Sequence, residues 1–284
     1  ILEQIINAAV SILAAKLLIG LVMEGDTTRR AIYGSAGSAL GTGAGVVIGL
    51  LFMLGMYRLN GGMIRRRVER DKTWHEESYK KIFKVIFTIV TPFILSTFIY
   101  NCTTVVNMYI YLYVMDYKKM DPILSSNHYG IFSGLAVAVV NIPIAIASSM
   151  SSAIMPGVAA SYAKGTVAQT RKQITRAIQM TMLIAIPAAV GIAVLPRPIM
   201  QFIFPQKESL DIASGLLAAL AVTVVFYSLS TLTNAVLQGI GKVNTPVIHA
   251  VVALVIQVAG LIVLMLYTDL ELYALAAANA IYSF

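Results

Sequence analysis

The stretch PVIHAVVALVIQVAGLIVLMLY, Pro246 to Tyr267, runs 22 residues without an Asp, Glu, Lys or Arg. As a helix rising ~1.5 Å per residue it is long enough to cross a hydrocarbon core of ~30 Å. Strands would need alternation of apolar and polar residues, and there is none. Six further runs of the same character lie upstream: Gln4 to Met23, Tyr33 to Tyr57, Phe83 to Val114, Tyr129 to Tyr162, Ile174 to Leu195 and Leu210 to Leu237. An eighth begins at Leu272 and reaches the last residue, Phe284. With 58% hydrophobic and 12% charged residues, against roughly 25% charged in soluble domains, the chain reads as an all-α, polytopic membrane protein. Its fold is a helical bundle of about eight transmembrane helices.

The connections orient it. Arg58 to Lys84 carries nine Lys or Arg and four acidic residues, Lys164 to Arg176 four basic and none acidic, and Gln238 to Pro246 one basic and none acidic. The alternate connections, Glu24 to Arg30, Met115 to His128, Pro196 to Asp211 and Thr268 to Glu271, hold six basic and eight acidic residues in total. The positive-inside bias therefore places the first set in the cytoplasm without any span being skipped. The net charge of +8 is thus an orientation signal and does not point to nucleic acid. Trp74 and the cations around it are expected to rest near anionic headgroups.

Catalytic and cofactor signatures are lacking. Cys102 is the single cysteine and falls within an apolar run, where packing is the default role. Of His75, His128 and His249, only His75 has a carboxylate one helical turn away, Asp71, a poor metal site among nine cations. No GxxxxGK[ST] loop and no GxSxG elbow occurs. The reading is a non-enzyme with no cofactor and no metal. Opening on Ile1 and stopping within a helix, the sequence reads as an internal segment of a longer protein.

Three prolines, Pro92, Pro143 and Pro187, sit well inside spans, where each removes a backbone donor. Each is either a static kink that helps packing or a transporter hinge. Gly37, Gly41, Gly45 and Gly49 form three overlapping GxxxG steps, a smooth face for close helix approach. Polar residues within spans are costly and usually face a protein interior or a watery path. Lys16 is the only basic residue deep in a span: it either snorkels outward or serves as a cavity cation for an anionic headgroup. Asn7, Asn101, Asn107, Asn141 and Gln257 are candidate cavity residues of the same class. Their other reading is interhelical hydrogen bonding.

Several strings carry a resemblance. Leu237-Gln238-Gly239-Ile240-Gly241-Lys242 followed by Pro246 resembles the LQGxGK…P turn of the polysaccharide-export, MurJ and stage V sporulation protein B branch of the multidrug/oligosaccharidyl-lipid/polysaccharide exporter superfamily. Tyr129 to Gly134, Asn141-Ile142-Pro143 and Met155-Pro156 are similar to that family's YGxxxG…NxP…P helix, and Leu2 to Ile5 to the start of its fifth span. Tyr33 to Gly37 and Tyr273 to Ala277 both open small-residue-rich helices 240 residues apart, as a duplicated two-lobe transporter would have it.

The resemblance implies a flippase of the bacterial cytoplasmic membrane, moving a lipid-linked oligosaccharide or peptidoglycan precursor by alternating access between two six-helix lobes. Residues 1–57 would be the last two helices of the first lobe, 58–82 a basic cytoplasmic connector, and 83–284 an incomplete second lobe. Its partners would be membrane lipids, a lipid-linked sugar substrate and, for an ion-driven cycle, a coupling ion. The family's lipid II flippases place an arginine about one turn before the NxP segment. Ala136 to Val139 stand there instead, which points toward the sporulation and polysaccharide branch. The alternatives are a cation-coupled drug or metabolite antiporter of the same superfamily, or a non-transporting membrane scaffold.

Overall fold

The computed structural model describes residues 2–22, 26–70, 78–205 and 208–284. His75, Asp71 and Trp74 lie outside these residues. The described residues are helical with no strand, and seven of their helices are long and apolar enough to cross a membrane. The chain divides into two compact units, residues 1–77 and 78–284.

The first unit holds α1 (Leu2–Gly20), α2 (Thr27–Leu59) and α3 (Gly61–Arg70). Asp26 starts α2 six residues before the apolar run does, its carboxylate accepting from the Arg29 amide at 2.9 Å. The glycine ladder of α2 lies against α1 in an antiparallel register. A Cβ on Gly37 would strike the backbone of Ala14 and Ala15, and one on Gly41 that of Ser11. One on Gly45 would come within 3.1 Å of Asn7 Cβ, and one on Gly49 within 3.8 Å of Glu3. Glu3, Asn7, Ser11 and Ala15 recur every four residues, as the glycines do, so two matched i,i+4 rows meet. The Ser11 hydroxyl donates to the Ser38 carbonyl at 3.1 Å across this seam.

The second unit is built around α9 (Leu210–Gly239), whose Leu216, Leu217, Leu220, Val224 and Leu232 are buried. Around it lie α4 (Tyr79–Tyr117), α5 (Pro122–Gly130), α6 (Val137–Ala163), α7 (Val167–Val194), α8 (Pro196–Ile203), α10 (Asn244–Tyr267) and α11 (Leu272–Ser283). A π-helical stretch, Ile131–Ala136, joins α5 to α6, so helix runs unbroken from Pro122 to Ala163. Asp121 sets its start: its carboxylate accepts from the Leu124 amide at 3.0 Å, and Pro122 occupies the first helical position. Helix thus begins seven residues before Tyr129, because an apolar run marks the hydrocarbon-embedded part and not the capped end.

The stretch 58–82 holds the last turn of α2, then α3 and the start of α4, on either side of residues 71–77. Pro196 to Asp211, read as a loop, contains the short α8. The backbone runs helically through Pro92, Pro143 and Pro187.

Two contacts fix the direction of α10 against α4. Gln257 meets Asn107, and Lys118 meets Thr268, each pair 150 residues apart in sequence. An unchanged offset over eleven positions means that the two helices run parallel, as the alternation of the connections requires of spans separated by an even number of crossings.

The LQGxGK turn closes α9. Gly241 takes φ +84° and the Lys242 amide returns to the Leu237 carbonyl at 2.8 Å, a left-handed cap open to glycine. Gly239 lets Met155 of α6 lie against the helix.

Gly41→Ala is expected to lower the thermal stability of the detergent-solubilised protein by about 1–3 kcal/mol, since its methyl group must displace backbone. Gly43→Ala, where a Cβ meets open space, is expected to leave it unchanged or raise it. Equal melting curves for the two variants would contradict the seam.

Candidate functional site

Four of the six polar candidates, Asn101, Asn107, Asn141 and Gln257, fall in the second unit. Asn107 on α4 is 3% exposed and Gln257 on α10 is fully buried. The Gln257 amide donates to Asn107 Oδ1 at 3.3 Å and to Asn279 Oδ1 on α11 at 3.4 Å, tying three helices through one side chain. Gln257 Oε1 has no hydrogen-bond partner among the described residues.

Asn107, Asn141 and Asn279 line one cavity of about 70 Å³ together with Thr103, Ser133 and Thr223. That volume suits a few waters and excludes a sugar. Tyr129 at its edge donates to the Thr104 carbonyl at 3.1 Å, and Ser133 to the Tyr129 carbonyl at 2.9 Å. The π-helical stretch supplies Phe132 and Ser133 to the wall. A π turn carries one extra residue per hydrogen-bonded loop, which re-aims the side chains around it. At the rim three tyrosines from three helices, Tyr100, Tyr227 and Tyr282, stand with ring centroids 6.2–6.3 Å apart.

Asn101 is exposed and its amide donates to the carbonyl of Thr97, one turn back on its own helix, at 2.9 Å. Asn7 and Lys16 belong to the first unit. Asn7 accepts from the Ser11 hydroxyl at 3.0 Å and packs beside Gly45, so its side chain takes part in the α1–α2 seam. Lys16 is exposed on α1 and has no ion-pair partner among the described residues. No group of three His, Cys, Asp or Glu able to hold a metal occurs among the described residues.

The lipid II flippase MurJ family model matches residues 4–284. The chain belongs to the MurJ family. A curated relative, the lipid II flippase MurJ of Bacillus subtilis (strain 168), is 24% identical over 264 residues, covering 90% of this chain and 46% of that protein. The chain therefore spans about half the length of that relative. Among solved structures, a MATE transporter in its straight conformation superposes with a TM-score of 0.68 at 20% identity, covering 99% of this chain and 59% of the other. A MOP-superfamily transporter from Pyrococcus furiosus gives 0.65 at 19% identity, with 99% and 59% covered. At such identities these likenesses show the fold alone, a polytopic helical transporter architecture.

The MurJ family is one of flippases, transporters and not enzymes. With seven apolar spans, membership places this chain in the bacterial cytoplasmic membrane as a multi-pass protein. The motifs that carried the resemblance have structural work in it: LQGxGK caps α9, and YGxxxG spans the junction of α5 with the π stretch.

Sequence reading passed over Asn279 and the three tyrosines. Asn279 was detectable as the one amide in the apolar segment from Leu272 to Phe284. The tyrosines carry no such mark, because tyrosine is ordinary near membrane interfaces.

Gln257→Leu is expected to cost about 1 kcal/mol of stability, read as a lowered melting temperature, by leaving the amide oxygens of buried Asn107 and half-buried Asn279 unmatched. Replacing Asn107, Gln257 and Asn279 together by Leu should cost less than the sum of the three single changes. Simple additivity would show that the three amides do not act as a unit.

Proposed function

We propose that this chain takes part in flipping a lipid-linked peptidoglycan precursor across the cytoplasmic membrane. The observation that carries the reading is the family match over residues 4–284. A diphosphate-sugar headgroup cannot cross hydrocarbon unaided, so a polar, cationic passage must shield it while the lipid tail stays in the bilayer.

Lys16 is the candidate for the phosphate contact. It stands exposed on an apolar helix, without an acidic partner among the described residues to neutralise it. Asn7, Asn101, Asn107, Asn141 and Gln257 are proposed as polar cavity residues, Asn107 and Gln257 within the buried amide triad. Pro92, Pro143 and Pro187 are proposed as hinges of an alternating-access cycle, since each frees a carbonyl within a span.

A coupling ion bound among the spans described in this chain would have to be held by uncharged oxygens. Among the described residues the middle of each span carries no Asp or Glu. The same observation weighs against a cation-coupled antiporter, which ordinarily relies on a membrane-embedded carboxylate.

In the full-length protein, Lys16→Ala is expected to abolish complementation of a flippase-depleted strain while membrane insertion stays intact, and Lys16→Arg to restore growth at least in part. Normal growth of the Lys16→Ala strain would remove Lys16 from the site. Loss of rescue by the parent protein itself would remove the flippase reading.

A further inference from the structure

The opening turns of α7 present a cationic face that its own packing fixes in place. Thr170 and Gln173 are drawn against the end of α6. The Ser161 hydroxyl donates to Gln173 Oε1 at 2.7 Å, and the Thr170 hydroxyl donates to Ser161 Oγ at 3.1 Å. Further along the same side Ala177 and Thr181 are buried. At ~100° per residue these positions share one side of the helix, which turns Arg171, Lys172 and Arg176 to the opposite side. All three cations are exposed and have no acidic partner among the described residues.

The outer end of the same unit is treated differently. There Lys118 approaches Asp269 at 3.8 Å and Arg197 pairs with Asp211 at 3.1 Å. Lys118 and Arg197 thus have acidic partners within the protein, whereas Arg171, Lys172 and Arg176 have none among the described residues.

The cationic face continues into an apolar one. Leu183, Ile186 and Val190 lie on the same side of the helix and are 70%, 49% and 56% exposed. From Arg176 to Ile186 the rise is ~15 Å, about the depth of one leaflet's hydrocarbon. A cationic cluster at headgroup level above an apolar stripe one leaflet deep matches one kind of molecule, an amphiphile with an anionic head.

We propose that this face of α7 is a binding site for an anionic phospholipid of the cytoplasmic leaflet, its phosphate held by Arg171, Lys172 and Arg176 and its acyl chain lying along Leu183 and Ile186. A phospholipid fits better than a soluble phosphate, because the apolar stripe would otherwise face no ligand. The site does not depend on the flippase reading: it follows from charge and depth alone.

The test places a fluorophore at Leu183→Cys in an otherwise cysteine-free full-length protein. The protein is reconstituted in phosphatidylcholine nanodiscs containing tail-brominated phosphatidylglycerol or tail-brominated phosphatidylcholine. Quenching should favour phosphatidylglycerol by about tenfold, because the cations attract its net negative charge and not the neutral phosphatidylcholine. Arg171→Gln/Lys172→Gln/Arg176→Gln should bring the ratio close to one, and Arg171→Lys/Arg176→Lys should keep it. A ratio near one in the parent protein overturns the proposal even if the triple variant fails to fold, and so does a ratio that the triple variant leaves unchanged. Displacement of phosphatidylglycerol by equimolar polyprenyl diphosphate, but not by phosphatidylserine, would also overturn it, by assigning the face to the lipid-linked substrate.

Discussion

Everything in this fold follows from the impossibility of leaving a backbone N–H or C=O unsatisfied in hydrocarbon. Helix meets that demand within each span, and it leaves the backbone nothing with which to recognise a neighbour. Recognition then falls to side chains, and the two units solve it differently. The α1–α2 pair removes side chains, so that matched four-residue rows bring the helices into close contact. The second unit surrounds α9 with large apolar residues and adds the Asn107–Gln257–Asn279 triad, whose hydrogen bonds have direction and so set helix rotation as well as proximity.

The same constraint explains what was legible in the sequence. Spans could be read because apolar length is a one-dimensional property, and the parallel run of α4 and α10 agrees with the alternation of the loops. Faces could not be read. Asn101 and Asn107 sit on the same apolar helix with the same chemistry, yet six residues apart, about a third of a turn around the axis, one is exposed and the other buried. One is spent on its own turn and the other on the buried triad. The partner of the glycine ladder was equally hidden, since a GxxxG face states that something packs closely and not what. The π stretch escaped because no residue type demands it.

The candidate site was legible in kind more than in place. Of the amides marked in spans, Asn107 and Gln257 meet, together with Asn279, where three helices of the second unit converge. A cavity of about 70 Å³ lies within the second unit and is far smaller than a lipid-linked sugar.

The offset of 150 residues between Asn107 and Gln257 also has a meaning in time. A ribosome adding ~5–20 residues per second needs roughly 10–30 s to make the chain between them. For that interval α4 is present while its buried amide partner does not yet exist. The α1–α2 seam, joined across a short connection, has no comparable wait. The second unit is therefore the slow part of biogenesis, and α4 is the helix that must be sheltered until α10 arrives.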